Sequence, residues 1–364
     1  MRVLVDTSFA LRGPSGTATY VEGLLEGLEA DGRIEAVRAE RPPPLRGRGT
    51  GAGRVAGSMR SAANVAAERH WVDRRLPALA AAARADVLHH PLPAFSRRWP
   101  GAQVCTVHDL AFERRPEDFD RAWRSVARIQ HRRAAQRADA VIAVSGQTAA
   151  DVRSRWGVPA HRLVVAPHGP KQIAGDHPAP LAGPYVLYVG DAEPRKNLPV
   201  LLAGWRRYRE ALPADVAAPR QLVVAGAAAC DPTAAVAPGV TPLHGLDDAA
   251  LRATYAHAAA LVQPARFEGT RLTVLEAMAA GVPVVAARSP GLAETAGDAA
   301  LWFAPDDPAG LAARLIELAA TPERGARLAQ RGRELAASRS WRASARAHAD
   351  AYALAARMAR ERTR

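Results

Sequence analysis

Short apolar runs of strand length alternate along this chain with longer stretches whose apolar residues recur every three or four positions. In the first half, residues 2–6, 86–90, 103–107, 140–144 and 163–166 have the strand form. Val21, Leu24, Leu25 and Leu28 follow the first of them at helical spacing. Ser145 stands where a helix over 148–156 needs an N-cap. In the second half the form restarts: residues 185–189, 221–225, 240–243, 258–262, 282–286 and 300–303 read as strands. Helices are expected through Leu198, Leu201, Leu202 and Trp205, from Asp247 as N-cap, over 309–318 and 322–337, and from Trp341 onward. Strands that alternate with helices predict parallel sheets covered on both faces, here two doubly wound α/β domains.

Two stretches break the pattern. Residues 41–57 are rich in proline, glycine and arginine and predict a long loop, and alanine-rich 58–84 predicts a helix with Trp71, Leu76 and Leu79 on its apolar side. Pro170, Pro178, Pro180 and Pro184 mark a linker. The expected boundaries are a first domain over 1–170, a linker over 171–184, a second domain over 185–340, and a terminal helix over 341–364 that packs back towards the first domain.

A chain of 364 residues suits two domains, each with its own core. No window holds the ~18 uninterrupted apolar residues of a membrane span, and the opening run is too short for a signal-peptide core, so a cytoplasmic protein is expected. Cys105 and Cys230 lie far apart and are expected as free thiols, with no disulfide or zinc site. The net charge of +13 fits either a solvated basic surface or an anionic partner. Within it, a helix expected over 119–137 gathers Arg121, Arg124, Arg128, Arg132, Arg133 and Arg137 around Trp123 and Ile129. Such a helix could rest on an anionic membrane surface at the inner face of the plasma membrane, or stay solvated. No zinc finger, RRM aromatic signature or helix-turn-helix pattern accompanies the charge, so no specific nucleic acid is expected.

The candidate chemistry gathers at strand ends, where open parallel sheets bind ligands. A glycine loop, Gly13 to Tyr20 with Gly16 at its centre, separates the first strand from its helix and could admit a phosphate or sugar to backbone N–H groups. His108-Asp109 ends the strand over 103–107. Arg195 and Lys196 follow the strand over 185–189 and suit a diphosphate grip; two ordinary surface charges would look the same. After the strand over 258–262 come Glu268 and Glu276, with seven residues between them and Gly269 beside the first.

Together these residues resemble glycosyltransferase family 4, retaining nucleotide-sugar-dependent enzymes of the GT-B fold. The resemblance rests on Gly190 through Asn197, on His244-Gly245, on Glu268 to Glu276, on Ala277-Met278-Ala279-Ala280-Gly281-Val282-Pro283-Val284-Val285, and on Gly291-Leu292-Ala293-Glu294. It implies two Rossmann-like domains facing each other across a cleft. It implies transfer of a sugar from a nucleoside-diphosphate sugar to an acceptor hydroxyl of a saccharide, glycolipid or small molecule, as in cell-envelope polysaccharide or glycolipid synthesis. Glu276 would accept from the ribose hydroxyls, Glu268 would hold the donor sugar, Arg195 and Lys196 would neutralise the diphosphate, and His108 would sit over the sugar. His244, Gly269, Thr270, Arg271 and Leu272 would line the donor site, and Gly16 would let the backbone approach donor or acceptor. No cofactor is implied, and no divalent metal if the two cations do the neutralising.

One departure stands out. The family usually has Phe-Gly-Leu-Pro after Glu-Gly, whereas this chain has Thr270-Arg271-Leu272-Thr273. Arg271 either obstructs the approach of backbone to phosphate or adds a cation beside it. The first outcome would make the chain a non-catalytic GT-B module that binds nucleotide sugars or acts as a scaffold.

Overall fold

A computed structural model describes residues 1–8, 15–40, 66–171, 178–212 and 216–362. The loop expected over 41–57, residues 58–65 of the next expected helix, Gly13 and Pro14 of the first glycine loop, and 172–177 of the linker lie outside the described residues. The chain divides into two compact units. One comprises Met1–Leu110, Ala122–His168 and Trp341–Arg364, the other Ala111–Arg121 and Gly169–Ser340. The sequence boundary at 170 therefore holds no claim on Ala111–Arg121. That segment forms only two short turns, Ala111–Arg114 and Pro116–Asp118, with no strand to tie it to the first sheet.

The first unit is built on β1 (Arg2–Asp6), β2 (Glu35–Ala39), β3 (Val87–His90), β4 (Ala102–Val107), β5 (Ala140–Ala143) and β6 (Leu163–Val165). All pair in parallel in the order β2-β1-β3-β4-β5-β6. β3, β4 and β5 are buried along their whole length, as strands covered on both faces must be. β2 escapes the apolar pattern because it is an edge strand, Glu-Ala-Val-Arg-Ala, with only its last residue buried. Its helices are α1 (Gly16–Asp31), α2 (Leu76–Ala82), α3 (Arg121–Arg137) and α4 (Gly146–Trp156). The helix expected from residue 119 starts at Arg121, because Phe119 is extended after the preceding turn. Ser145 caps α4 as expected, its Oγ accepting from the Thr148 N–H at 3.0 Å.

The second unit is built on β7 (Tyr185–Val189), β8 (Gln221–Ala225), β9 (Val240–Leu243), β10 (Ala258–Gln263), β11 (Val284–Ala287) and β12 (Ala300–Phe303). They pair in parallel in the order β12-β11-β10-β7-β8-β9. The chain grows outward from β7 through β8 and β9, then crosses back to lay β10 on the other side of β7. The topological switch point thus lies between β7 and β10, and the crevice beyond their carboxyl ends is where such sheets take ligands. The helices are α5 (Leu198–Ala211), α6 (Asp248–Ala256), α7 (Leu272–Ala279), α8 (Pro290–Ala296), α9 (Pro308–Ala320) and α10 (Pro322–Ala337). Their apolar faces bury both sides of the sheet, with Leu201, Trp205 and Leu311 on one and Leu292, Val274 and Met278 on the other.

The terminal helix, α11 (Trp341–Arg362), belongs to the first unit and packs along α1 and β4. Two glycines four residues apart on α1 make this possible. A Cβ on Gly23 would overlap the Trp341 indole, and one on Gly27 would overlap the Trp341 main chain. Below this contact lies a buried polar chain. Tyr20 Oη meets Thr106 Oγ1 and His348 Nε2, each at 2.8 Å, and Tyr352 Oη meets His89 Nδ1 at 2.9 Å. Burial pushes His348 down to about 4, so it is neutral at pH 7 and able to share these bonds. Replacing Gly23 with leucine is expected to cost about 2–3 kcal/mol by overpacking, measured as a lower urea midpoint. An unchanged midpoint would remove this contact from the account.

Candidate active site

Arg195 and Lys196 reach the switch point because β7 ends at Val189 and a short turn, Pro194–Lys196, carries them over its carboxyl end. Asn197, in the left-handed region at φ 62°, closes that turn and begins α5. Glu268 and Arg271 come from the neighbouring strand: β10 ends at Gln263, and the loop to α7 holds both. The four side chains converge. Lys196 Nζ lies 2.6 Å, Arg271 Nη1 2.8 Å and Arg195 Nη1 3.1 Å from one carboxylate oxygen, Glu268 Oε1. Lys196 is 5% exposed, Glu268 4% and Arg271 6%.

Arg195 Nε is also paired with Glu193 Oε2, at 2.8 Å, so three cations face two carboxylates, of which only Glu268 is buried. Burial pushes Lys196 down to about 8, and the adjacent Arg271 adds to the shift against the pull of Glu268. Burial alone would raise the Glu268 carboxyl. The charges of Arg271, Lys196 and Arg195 more than offset it and hold the group well below the ordinary carboxylate range.

Arg271 is fixed from two further sides. Its Nη2 donates to the Val189 carbonyl at 3.4 Å. A guanidinium can only donate, so the Gln263 amide must present its oxygen, which then accepts from Nε at 2.8 Å and Nη2 at 3.0 Å. The two loops are also braced together. The Arg266 N–H donates to the Arg195 carbonyl at 2.9 Å and its Nη1 to the Pro194 carbonyl at 2.9 Å. Its Nε meets Asp306 Oδ1 at 2.6 Å, and Asn197 Nδ2 donates to the same oxygen at 3.0 Å.

Glu276 lies on α7, 6% exposed, and burial raises its carboxyl above the ordinary range despite the nearby Tyr255 hydroxyl and the charges of Lys171 and Arg271. The Tyr255 hydroxyl is itself buried without a well-formed hydrogen bond. A buried carboxylate beside a buried hydroxyl suits a ligand that brings hydroxyls.

Residues 183–321 match the family model described as glycosyl transferases group 1, and residues 14–170 match the one described as glycosyltransferase family 4. The chain belongs to glycosyltransferase family 4. This glycosyltransferase is 33% identical over 141 residues to O-antigen chain mannosyltransferase B of Escherichia coli, a match covering 36% of each chain. It therefore aligns with about a third of the length of that curated relative. Among solved structures it resembles sucrose-phosphate synthase from Thermosynechococcus elongatus, with a TM-score of 0.73 and 21% identity over 97% of this chain and 98% of that one. It also resembles Anabaena HepE in complex with UDP-glucose, with a TM-score of 0.67 and 16% identity over 96% and 98%. At these identities the likeness is one of fold, and the fold is GT-B, with two Rossmann-like units.

The structure of the glycosyltransferase brings together four of the residues that the sequence singled out: Arg195, Lys196, Glu268 and Arg271. Gly269 is buried in the same loop and Leu272 at the first position of α7, with Thr270 between them partly exposed. His244 is exposed after β9, its Nδ1 3.6 Å from Cys230 Sγ, outside the cation group. His108 and Gly16 belong to the first unit. His108 follows β4, and its Nε2 lies 2.9 Å from the Pro91 carbonyl. Gly16 opens α1, and a Cβ there would meet nothing within 4 Å. Sequence reading missed Gln263, Arg266, Asp306 and Tyr255. Nothing in the spacing linked Asp306 or Arg266 to the loop after β7.

Proposed function

We propose that this enzyme moves a sugar from a nucleoside-diphosphate sugar to an acceptor hydroxyl with retention of anomeric configuration, in cell-envelope polysaccharide or glycolipid synthesis. The observation that carries this reading is the convergence of Arg195, Lys196 and Arg271 on one oxygen of Glu268 at the β7–β10 switch point. Breaking the anomeric C–O bond leaves positive charge on the sugar and negative charge on the departing diphosphate. Buried, pre-positioned cations stabilise that leaving group as the charge develops. Glu268 supplies a carboxylate beside the sugar, and Glu276 with Tyr255 accepts the ribose hydroxyls. Support comes from HepE, whose structure holds UDP-glucose, and from the E. coli relative, which is named as a mannosyltransferase of the O-antigen chain.

The three cations make a divalent metal unnecessary in this reading, so EDTA should leave turnover unchanged. His108 and Gly16 keep the roles that the family resemblance gives them. His108→Ala with wild-type turnover would remove the first of these.

The proposed acceptor is a saccharide, lipid-linked or otherwise anionic. Among the described residues no helix is long and apolar enough to cross a membrane. α3 instead offers Trp123, Val126 and Ile129, 50%, 47% and 54% exposed, on a helix with six arginines and no acidic residue. That composition suits peripheral contact with anionic lipid, and co-sedimentation with anionic but not neutral vesicles is the expected result.

The reading as a whole is tested by incubating the enzyme with UDP-, GDP-, ADP- and dTDP-sugars and a saccharide acceptor. One donor should be consumed, and proton NMR should show the donor's anomeric configuration in the product. Turnover with inversion would discard retention, and no turnover of any donor would discard the proposal.

A further inference from the structure

Glu268 is read above as a carboxylate that serves the sugar, yet its Oε1 is where three cations meet. Lys196, Arg271 and Arg195 approach that single oxygen at 2.6, 2.8 and 3.1 Å. Each is a donor that a phosphate oxygen could equally satisfy. Arg271, the Arg195 guanidinium through Glu193, and the main chain of the loop that carries Arg195 and Lys196 are all held from outside the cluster. Arg271 is tied to Gln263 and the Val189 carbonyl, and the loop carrying Arg195 and Lys196 is tied through Arg266 and Asp306. The carboxylate has less to hold it. It stands on a loop ahead of α7, and its Oε1 accepts from Lys196 Nζ and Arg271 Nη1, members of the cluster itself.

We propose that the Glu268 carboxylate and the donor's diphosphate compete for one set of cations, so that a bound diphosphate frees Glu268 to turn to the sugar. The inference rests on the donor-site reading and deepens it. It gives the carboxylate two successive positions, the first as an internal counter-anion and the second as a partner of the sugar. Two phosphates bring more negative charge than one carboxylate to the three cations, which favours the exchange. The carboxylate is then released only where a diphosphate is present, which ties its availability to the arrival of a complete donor. No bond is made or broken in this step, and no proton moves.

The test uses inorganic pyrophosphate, which has neither base nor sugar, and the full-length enzyme at pH 7. Its dissociation constant is measured by calorimetry for wild type, Glu268→Gln and Glu268→Asp. Competition predicts that Glu268→Gln binds pyrophosphate about tenfold more tightly than wild type, although its sugar transfer falls. Glu268→Asp keeps the charge that the buried cations need for folding but draws the carboxylate back by a methylene, and should show a smaller gain in the same direction. Equal or weaker binding by the folded variants overturns the competition while leaving the donor site standing. Pyrophosphate that fails to bind wild type at millimolar concentration overturns the donor-site reading and the competition with it.

Discussion

Replacing Lys196 with alanine is expected to lower kcat/KM for sugar transfer by about 10²–10³-fold, the range seen when one pre-positioned donor to a developing anion is removed. The fold should survive, because the main chain of the Pro194–Lys196 turn is held by Arg266 rather than by the ammonium group. The same residue sets a pH limit. Burial and the Arg271 charge bring Lys196 down to about 8. The ammonium form binds the diphosphate, so kcat/KM should be full below about pH 8 and fall as pH rises through it, a limb that reports the free enzyme. Arg271→Gly removes a neighbouring positive charge, so the limb should move to higher pH. A limb at the same pH in wild type and Arg271→Gly would mean that the two cations do not share one site.

Gly291→Ala is the second large effect, expected at about 10²-fold in kcat/KM. Gly291 lies in the first turn of α8, directly against the loop that carries Glu268. A Cβ there would overlap the Glu268 carbonyl oxygen and come within 2.8 Å of the Gly269 oxygen. Main chain cannot swing aside as a side chain does, so the loop must shift and carry the carboxylate away from its cations. Gly291 is thus a positioning residue. A positioning role requires kcat/KM to fall while circular dichroism shows the fold retained and pyrophosphate binding is altered. Wild-type kinetics in a folded Gly291→Ala would show that the loop has slack the structure does not suggest.

The parallel α/β plan was legible because strands of a covered parallel sheet read as short apolar runs, and eleven such runs stood out between helical stretches, the partly exposed edge strands β6 and β9 among them. β2 did not, since an edge strand with a polar exposed face has no such run. Arg195, Lys196 and Glu268 were legible as candidates because each follows a strand. That Arg271 joins them was open. A residue at the family's glycine position could block the site or line it, and only the bonds to Gln263 and Val189 show the guanidinium held within the cation group. The brace through Arg266 and Asp306 was invisible, because it joins three strand ends far apart in sequence and depends on which strands are neighbours. The two glycines under Trp341 were equally silent, since nothing in α1 announces a helix that arrives more than 300 residues later.

The central claim is that the second unit binds a nucleoside diphosphate through the cation cluster at one end and Glu276 at the other. Calorimetric titration of UDP, GDP, ADP and dTDP tests it most directly, with wild type, Lys196→Ala and Glu276→Ala side by side. The account predicts that one nucleotide binds wild type with micromolar affinity, and that each substitution weakens it at least about tenfold. Binding of no nucleotide, or of one whose affinity neither substitution changes, would contradict it.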